Sequence, residues 1–178
     1  MKKLCVLDIG HSPKKQGAKN VKRGLTEFKF NDDLSIRIEQ KVKKVKIQRV
    51  YRKTYSALPG QINSFNPDFI LSLHCNACNC IASGTEVLYW HKSTKGKKMA
   101  EILKRNLVSY LRLADRGIKP IDSDDRGSLI LRKTKAPAVI SEPFFIDNDI
   151  DLDRALEDLD SFAQVYANAI EEIVEKLN

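Results

Sequence analysis

At 178 residues the chain has room for one compact domain with an ordinary core and little for a second. A hydrophobic share of 42% beside 30% charged residues excludes a disordered polymer, and no apolar stretch approaches the length that spans a bilayer. The net charge of +8 favours approach to polyanions: nucleic acid, acidic lipid or an anionic cell wall.

In chain order, residues 4–9 read as a strand that ends in Gly10-His11. Helical spacing then runs over 27–43, with Phe30, Leu34, Ile38 and Val42 on one face. Thr26 is placed to cap this helix, and Glu27 falls in its first turn, where a carboxylate suits the helix dipole. Residues 45–51 alternate as a strand, 56–65 form a short helix around Pro59-Gly60, and 68–73 form a buried strand ending in His74. Another strand covers 84–90, and Met99, Ile102, Leu103, Leu107, Tyr110 and Leu111 mark a helix after Gly96. Short apolar runs at 129–131 and 138–141 read as strands, the second ending in Glu142. The chain closes on a long helix striped by Leu159, Phe162, Tyr166, Ile170 and Ile173. The alternation predicts a three-layer α/β fold, a mainly parallel or mixed sheet with helices on both faces, in a single domain over 1–178.

In open α/β sheets the ligand crevice lies outside the carboxyl ends of the strands. His11, His74 and Glu142 each end an apolar run, which suggests one site assembled from distant parts of the chain. A catalytic zinc site takes three protein ligands and keeps an open position. With two histidines in place, spacing leaves Asp8, Glu27, Glu86 and Glu142 as candidates for the third. Glu142 also lies between an apolar run and Pro143-Phe144-Phe145, a setting that raises a carboxylate pKa and suits general acid/base work. His91, among lysines beyond a strand, reads as a surface residue.

The cluster Cys75-Asn76-Ala77-Cys78-Asn79-Cys80 lacks the second ligand pair of a structural zinc site, so its thiols read as ordinary and reduced. No RNP-like aromatic motif, zinc-finger spacing or basic heptad points to specific nucleic-acid binding. The start Met1-Lys2-Lys3 is basic, but Asp8 and His11 interrupt the short apolar run behind it. The expectation is synthesis in the cytoplasm without a signal peptide.

Four blocks of sequence carry a resemblance. They are Leu7-Asp8-Ile9-Gly10-His11 with Gly17-Ala18 and Glu27, then Leu71-Ser72-Leu73-His74-Cys75-Asn76-Ala77, then Gly84-Thr85-Glu86-Val87, and last 137–148 around Ser141-Glu142-Pro143. In this order they resemble the zinc-dependent N-acetylmuramoyl-L-alanine amidases. The resemblance implies a twisted sheet flanked by helices, one zinc ion on His11, Glu27 and His74, and Glu142 as the catalytic carboxylate. It implies a peptidoglycan substrate cut at the amide between the muramic lactyl group and L-alanine. Asp8 and Asn76, close in sequence to these ligands, are candidates to orient them.

Ser12-Pro13 stands where the family usually has glycine, and Cys78-Asn79-Cys80 is also a departure. A lone catalytic domain without a separate wall-binding domain suits a phage endolysin released by holin-type lysis, its positive charge drawing it to anionic wall polymers. The alternative is a cationic module binding wall polymer or nucleic acid around a vestigial metal site.

Overall fold

The computed structural model describes residues 2–177. Six strands form one sheet: β1 (Leu4–Ile9), β4 (Lys46–Tyr51), β5 (Phe69–Leu73), β6 (Thr85–Trp90), β7 (Asp115–Ile121) and β8 (Ala138–Glu142). Their order is β4-β1-β5-β8-β6-β7. The first four strands of that order run parallel, β6 is antiparallel to β8, and β7 is parallel to β6. The sheet is therefore mixed, with its parallel half carrying the three strand ends singled out above. A two-stranded ribbon, β2 (Lys19–Asn20) with β3 (Leu25–Thr26), precedes the first helix.

Side chains alternate across the sheet with period two, and each face is covered. Cys5, Leu7, Phe69, Leu71, Leu73 and Val139 pack into a large core with helices α1 (Glu27–Lys41), α3 (Thr94–Leu111) and α6 (Leu159–Leu177). Val6, Ile70, Ala138 and Ile140 face the other way, into a smaller core under α2 (Leu58–Asn63) and α4 (Ser128–Lys133). This is the expected three-layer arrangement. The smaller layer matters for function, because Asp8, Ser72 and Glu142 share the parity of its residues.

One expectation from the sequence is corrected, and two elements that it did not contain are added. Residues 129–131 are not a strand but the middle of α4, which starts after Gly127 in the left-handed region and turns Ile130 and Leu131 into the smaller core. A three-residue apolar run has no period of its own, and here a helical turn buries it. Strand β7 had no counterpart in the reading, since an edge strand with Gly117 and Pro120 and largely open faces carries little apolar alternation. Helix α5 (Asp149–Leu156) precedes the C-terminal helix and is capped by Asn148, whose Oδ1 accepts from the Ile150 and Asp151 amides. The smaller differences are at boundaries, such as α1 ending at Lys41.

Candidate metal centre

The centre starts at the end of β1. Ile9 pairs with Leu73 in β5, and the Gly10 amide donates to the Leu73 carbonyl at 2.9 Å, so the two histidine-bearing turns leave the sheet side by side. The approach is close enough that a Cβ on Gly10 would lie 2.7 Å from His74 Cε1 and 2.4 Å from the Leu73 oxygen. His11 itself takes a positive φ of 69°, which turns the chain back on itself. The His11 and His74 rings stand edge to face with centroids 5.2 Å apart.

Helix α1 brings the third group. Thr26 is its N-cap, with Oγ1 accepting from the Lys29 amide, and Glu27 is its first residue. The segment before it wraps over this terminus: the Glu27 amide donates to the Ala18 carbonyl and the Phe28 amide to the Gln16 carbonyl. The Glu27 carboxylate is thereby buried between the two imidazoles, Oε2 at 2.9 Å from His11 Nε2 and Oε1 at 2.9 Å from His74 Nδ1. The amides of Ala18 (3.1 Å) and Cys75 (3.0 Å) also donate to it. One ligand atom from each of His11, Glu27 and His74 lies within 4.8 Å of the others.

The electrostatics follow from this packing. Burial acts to raise Glu27, but hydrogen bonds and charge from both imidazoles outweigh it and hold the carboxyl well below the usual range. Burial acts to lower His74, and the Glu27 hydrogen bond with the charges of Glu142, Glu27 and Asp8 pushes it up to about 8. Glu142 is pushed up to about 8 by burial first, then by the negative charges of Glu27 and Glu86. Its Oε2 is buried without a hydrogen-bond partner.

The remaining candidates sit around the cluster. Asp8 is buried, and its Oδ2 accepts from Ser72 Oγ at 2.6 Å, directly across the β1–β5 register. Glu86 lies opposite Glu142 in the β6–β8 pair and is engaged on both oxygens, by Asn76 Nδ2 (2.7 Å) and Arg116 Nε (2.8 Å). Asn76 therefore reaches the neighbour of Glu142 rather than a member of the cluster. Spacing had left Asp8, Glu27, Glu86 and Glu142 open; the fold brings Glu27 to the two histidines. His91 lies at the surface, near Asp122. The cysteines are all free thiols, with Cys5 and Cys75 buried and Cys78 and Cys80 exposed.

A cleft of about 800 Å³ opens over these groups. Its lining includes Arg52, Tyr55 and Leu58, and the 123–129 segment that leads into α4. Sequence reasoning missed Arg52 and Ser72. The parity of Ser72 with Asp8 in adjacent strands was the signal for the second, whereas Arg52 needed the β1–β4 register.

A three-layer α/β fold that gathers two imidazoles, a carboxylate and a bare buried acid in one cleft defines a site able to hold a metal ion and move a proton. The chain belongs to the N-acetylmuramoyl-L-alanine amidase family, whose model matches residues 5–172. It is an enzyme of that class, a peptidoglycan amidase, which sets aside the binding-module alternative.

Among its relatives, the endolysin of Bacillus phage SPP1 is 30% identical over 190 residues, covering 98% of this chain and 67% of the endolysin. The probable cell wall amidase LytH of Staphylococcus saprophyticus is 28% identical over 162 residues, covering 88% of this chain and 53% of LytH. In fold, the N-acetylmuramoyl-L-alanine amidase from Clostridium difficile 630 superposes with a TM-score of 0.85 at 22% identity, covering 98% of this chain and 97% of that one.

Proposed function

We propose that His11, Glu27 and His74 hold one zinc ion and that Glu142 moves the proton in cleavage of the amide between N-acetylmuramic acid and L-alanine. The observation that carries this reading is the Glu27 carboxylate set between two imidazoles at 2.9 Å, in the same cleft as the bare Glu142 oxygen. The donor set suits zinc: two nitrogens and one oxygen, with the carboxyl kept ionised by its surroundings. A zinc ion held there supplies Lewis acidity, which polarises the scissile carbonyl and acidifies the attacking water.

Glu142 does the rest. Burial favours its protonated form, and positive charge at the cluster draws the pKa down so that the carboxylate can act as base. Its Oε2 takes a proton as the water oxygen bonds to the carbonyl carbon. The same proton then goes to the alanine nitrogen as the carbon–nitrogen bond breaks, since an amide nitrogen leaves poorly unless protonated. The amides of Ala18 and Cys75 keep the Glu27 carboxylate fixed throughout. Asp8, anchored by Ser72, places a further acid behind both histidines.

The biological setting proposed is wall lysis by a single catalytic domain over 1–178. It is supported by the likeness to a phage endolysin and a probable cell wall amidase. No described helix is long and apolar enough to cross a membrane. Release to the wall would follow holin-type lysis, with the +8 charge favouring anionic wall polymers.

The test is metal analysis joined to mass spectrometry of digested peptidoglycan. Glu142→Ala keeps stoichiometric zinc and the fold but loses hydrolysis, whereas His74→Ala loses both metal and activity. Only an amidase frees an intact L-alanine amino terminus. Full activity in the Glu142 variant would remove that residue from the mechanism.

A further inference from the structure

Arg52 is the first residue after β4, and the pairing of Tyr51 with Ile9 sets it beside the His11 turn. Its guanidinium approaches His11 Nδ1 at 3.4 Å, on the opposite edge of the ring from Glu27, and stands 5.7 Å from the centroid of the Tyr55 ring. Among the described residues its guanidinium has one long hydrogen bond for its five N–H donors, and one aromatic neighbour.

The contrast with the other arginines is informative. Arg23, Arg37, Arg49, Arg105, Arg116 and Arg154 each lie within ion-pair distance of a carboxylate. Among the described arginines without such a pair, Arg52 is the half-buried one. Asp8 feels its charge, but neither Asp8 oxygen is paired with the guanidinium: Oδ2 accepts from Ser72, and Oδ1 has no hydrogen-bond partner. A permanently charged guanidinium, partly withdrawn from water and short of acceptors, lowers its free energy when an anion enters the cleft.

We propose that Arg52 reads a carboxylate on the substrate, the free α-carboxylate of the second stem residue, a γ-linked D-glutamate one residue beyond the bond cleaved. The inference rests on the amidase reading above and names the stem chemistry that this cleft selects. Arginine and carboxylate match as two parallel N–H···O bonds, which neither an α-amide nor a lysine reproduces. The reach is short, because the guanidinium lies 3.4 Å from His11 Nδ1 and two residues of extended peptide span about 7 Å. Tyr55 lies beside the guanidinium, and both residues line the cleft.

The experiment compares two N-acetylmuramoyl peptides, alike except that the second residue carries a free α-carboxylate or an α-amide. Cleavage by the zinc-loaded enzyme is measured as kcat/KM. Binding of the two matching L-alanyl-γ-D-glutamyl dipeptides is measured in parallel by titration calorimetry. The unaltered enzyme prefers the carboxylate by roughly 10- to 100-fold in both, the scale of hydrogen bonds to a charged group. R52Q brings the ratio close to one, and R52K falls between. Because each ratio is internal to one protein, a folding defect in a variant cancels. A ratio near one in the unaltered enzyme, or the same ratio kept in R52Q, overturns the proposal; the second outcome would leave Arg52 as a support for His11. If neither muramoyl peptide is cleaved, the amidase reading fails, while the dipeptide binding ratio still decides the role of Arg52.

Discussion

The hydroxyls of Ser141 and Tyr166 meet at 2.6 Å inside the protein, tying the last turn of the central strand β8 to the C-terminal helix α6. Ser141 faces the large core and its neighbour Glu142 faces the cleft, so this one bond fixes the strand from behind at the position where the acid emerges. Y166F leaves the Ser141 hydroxyl without that partner in an apolar core. The expected cost is about 1–2 kcal/mol of stability, read as a lower urea midpoint with an unchanged slope.

Stability of the metal-free protein should depend on pH through Glu142. Its carboxyl titrates near 4.5 when exposed and about 8 in the fold. Below pH 4.5 both states hold the proton. Between 4.5 and 8 the unfolded chain releases a proton that the folded chain retains, so stability falls as pH rises and levels off above 8. E142Q removes this dependence. In chelator it should match the parent near pH 4.5 and exceed it by up to about 4 kcal/mol at pH 8, at ~1.4 kcal/mol per pH unit. A constant difference across that range would contradict the assignment.

Gly17 combines a φ of +75° with no space for a side chain: a Cβ would meet Glu27 Oε2 at 2.5 Å and His11 Cδ2 at 2.6 Å. Gly24 has a similar φ of +63° but open space around it. Both alanine variants incur backbone strain of about 1 kcal/mol. Only G17A displaces the ligand atoms, so zinc affinity by competition titration should fall at least tenfold in G17A and stay put in G24A.

Removal of metal with a chelator should abolish hydrolysis without unfolding the chain. Glu27 keeps both imidazoles in place through hydrogen bonds of its own, and both cores lie outside the cleft. Circular dichroism should be unchanged, activity should return on adding zinc, and the melting temperature should rise with zinc concentration as ligand linkage requires.

Thiol titration should separate the cysteines into two pairs. Cys78 and Cys80 are exposed and should react quickly with an aromatic disulfide reagent. Cys5 and Cys75 are buried, and burial pushes both thiols up, so they should react only on denaturation. Four fast thiols in the folded protein would contradict the fold around β1 and His74.

Much of this was legible in the sequence, for reasons that can be named. The runs at 4–9, 68–73 and 138–141 are nearly all apolar because those strands are buried on both faces, and α1 carries its own cap and period. Strand-end position alone pointed to His11, His74 and Glu142. Spacing could not rank Glu27 above Asp8, Glu86 or Glu142, because its place depends on residues 16–18 folding over the start of α1. Only the family resemblance singled it out. The edge strand β7 and the helix α4 were lost for the opposite reason: one lies too open to water to need an apolar pattern, the other is too short to show a period.

The register of the parallel strands also gives the protein a built-in report on its own completion. Ile9 must align with Leu73, and Leu73 with Ser141, before His11, His74 and Glu142 can share one cleft. Those pairings join segments that synthesis delivers far apart in time. A chain that has collapsed but not closed β8 onto β5 lacks the acid, and one that has not closed β1 onto β5 lacks the cluster. On the proposed roles, metal binding requires only the β1–β5 closure, whereas hydrolysis also requires β8 to be in place.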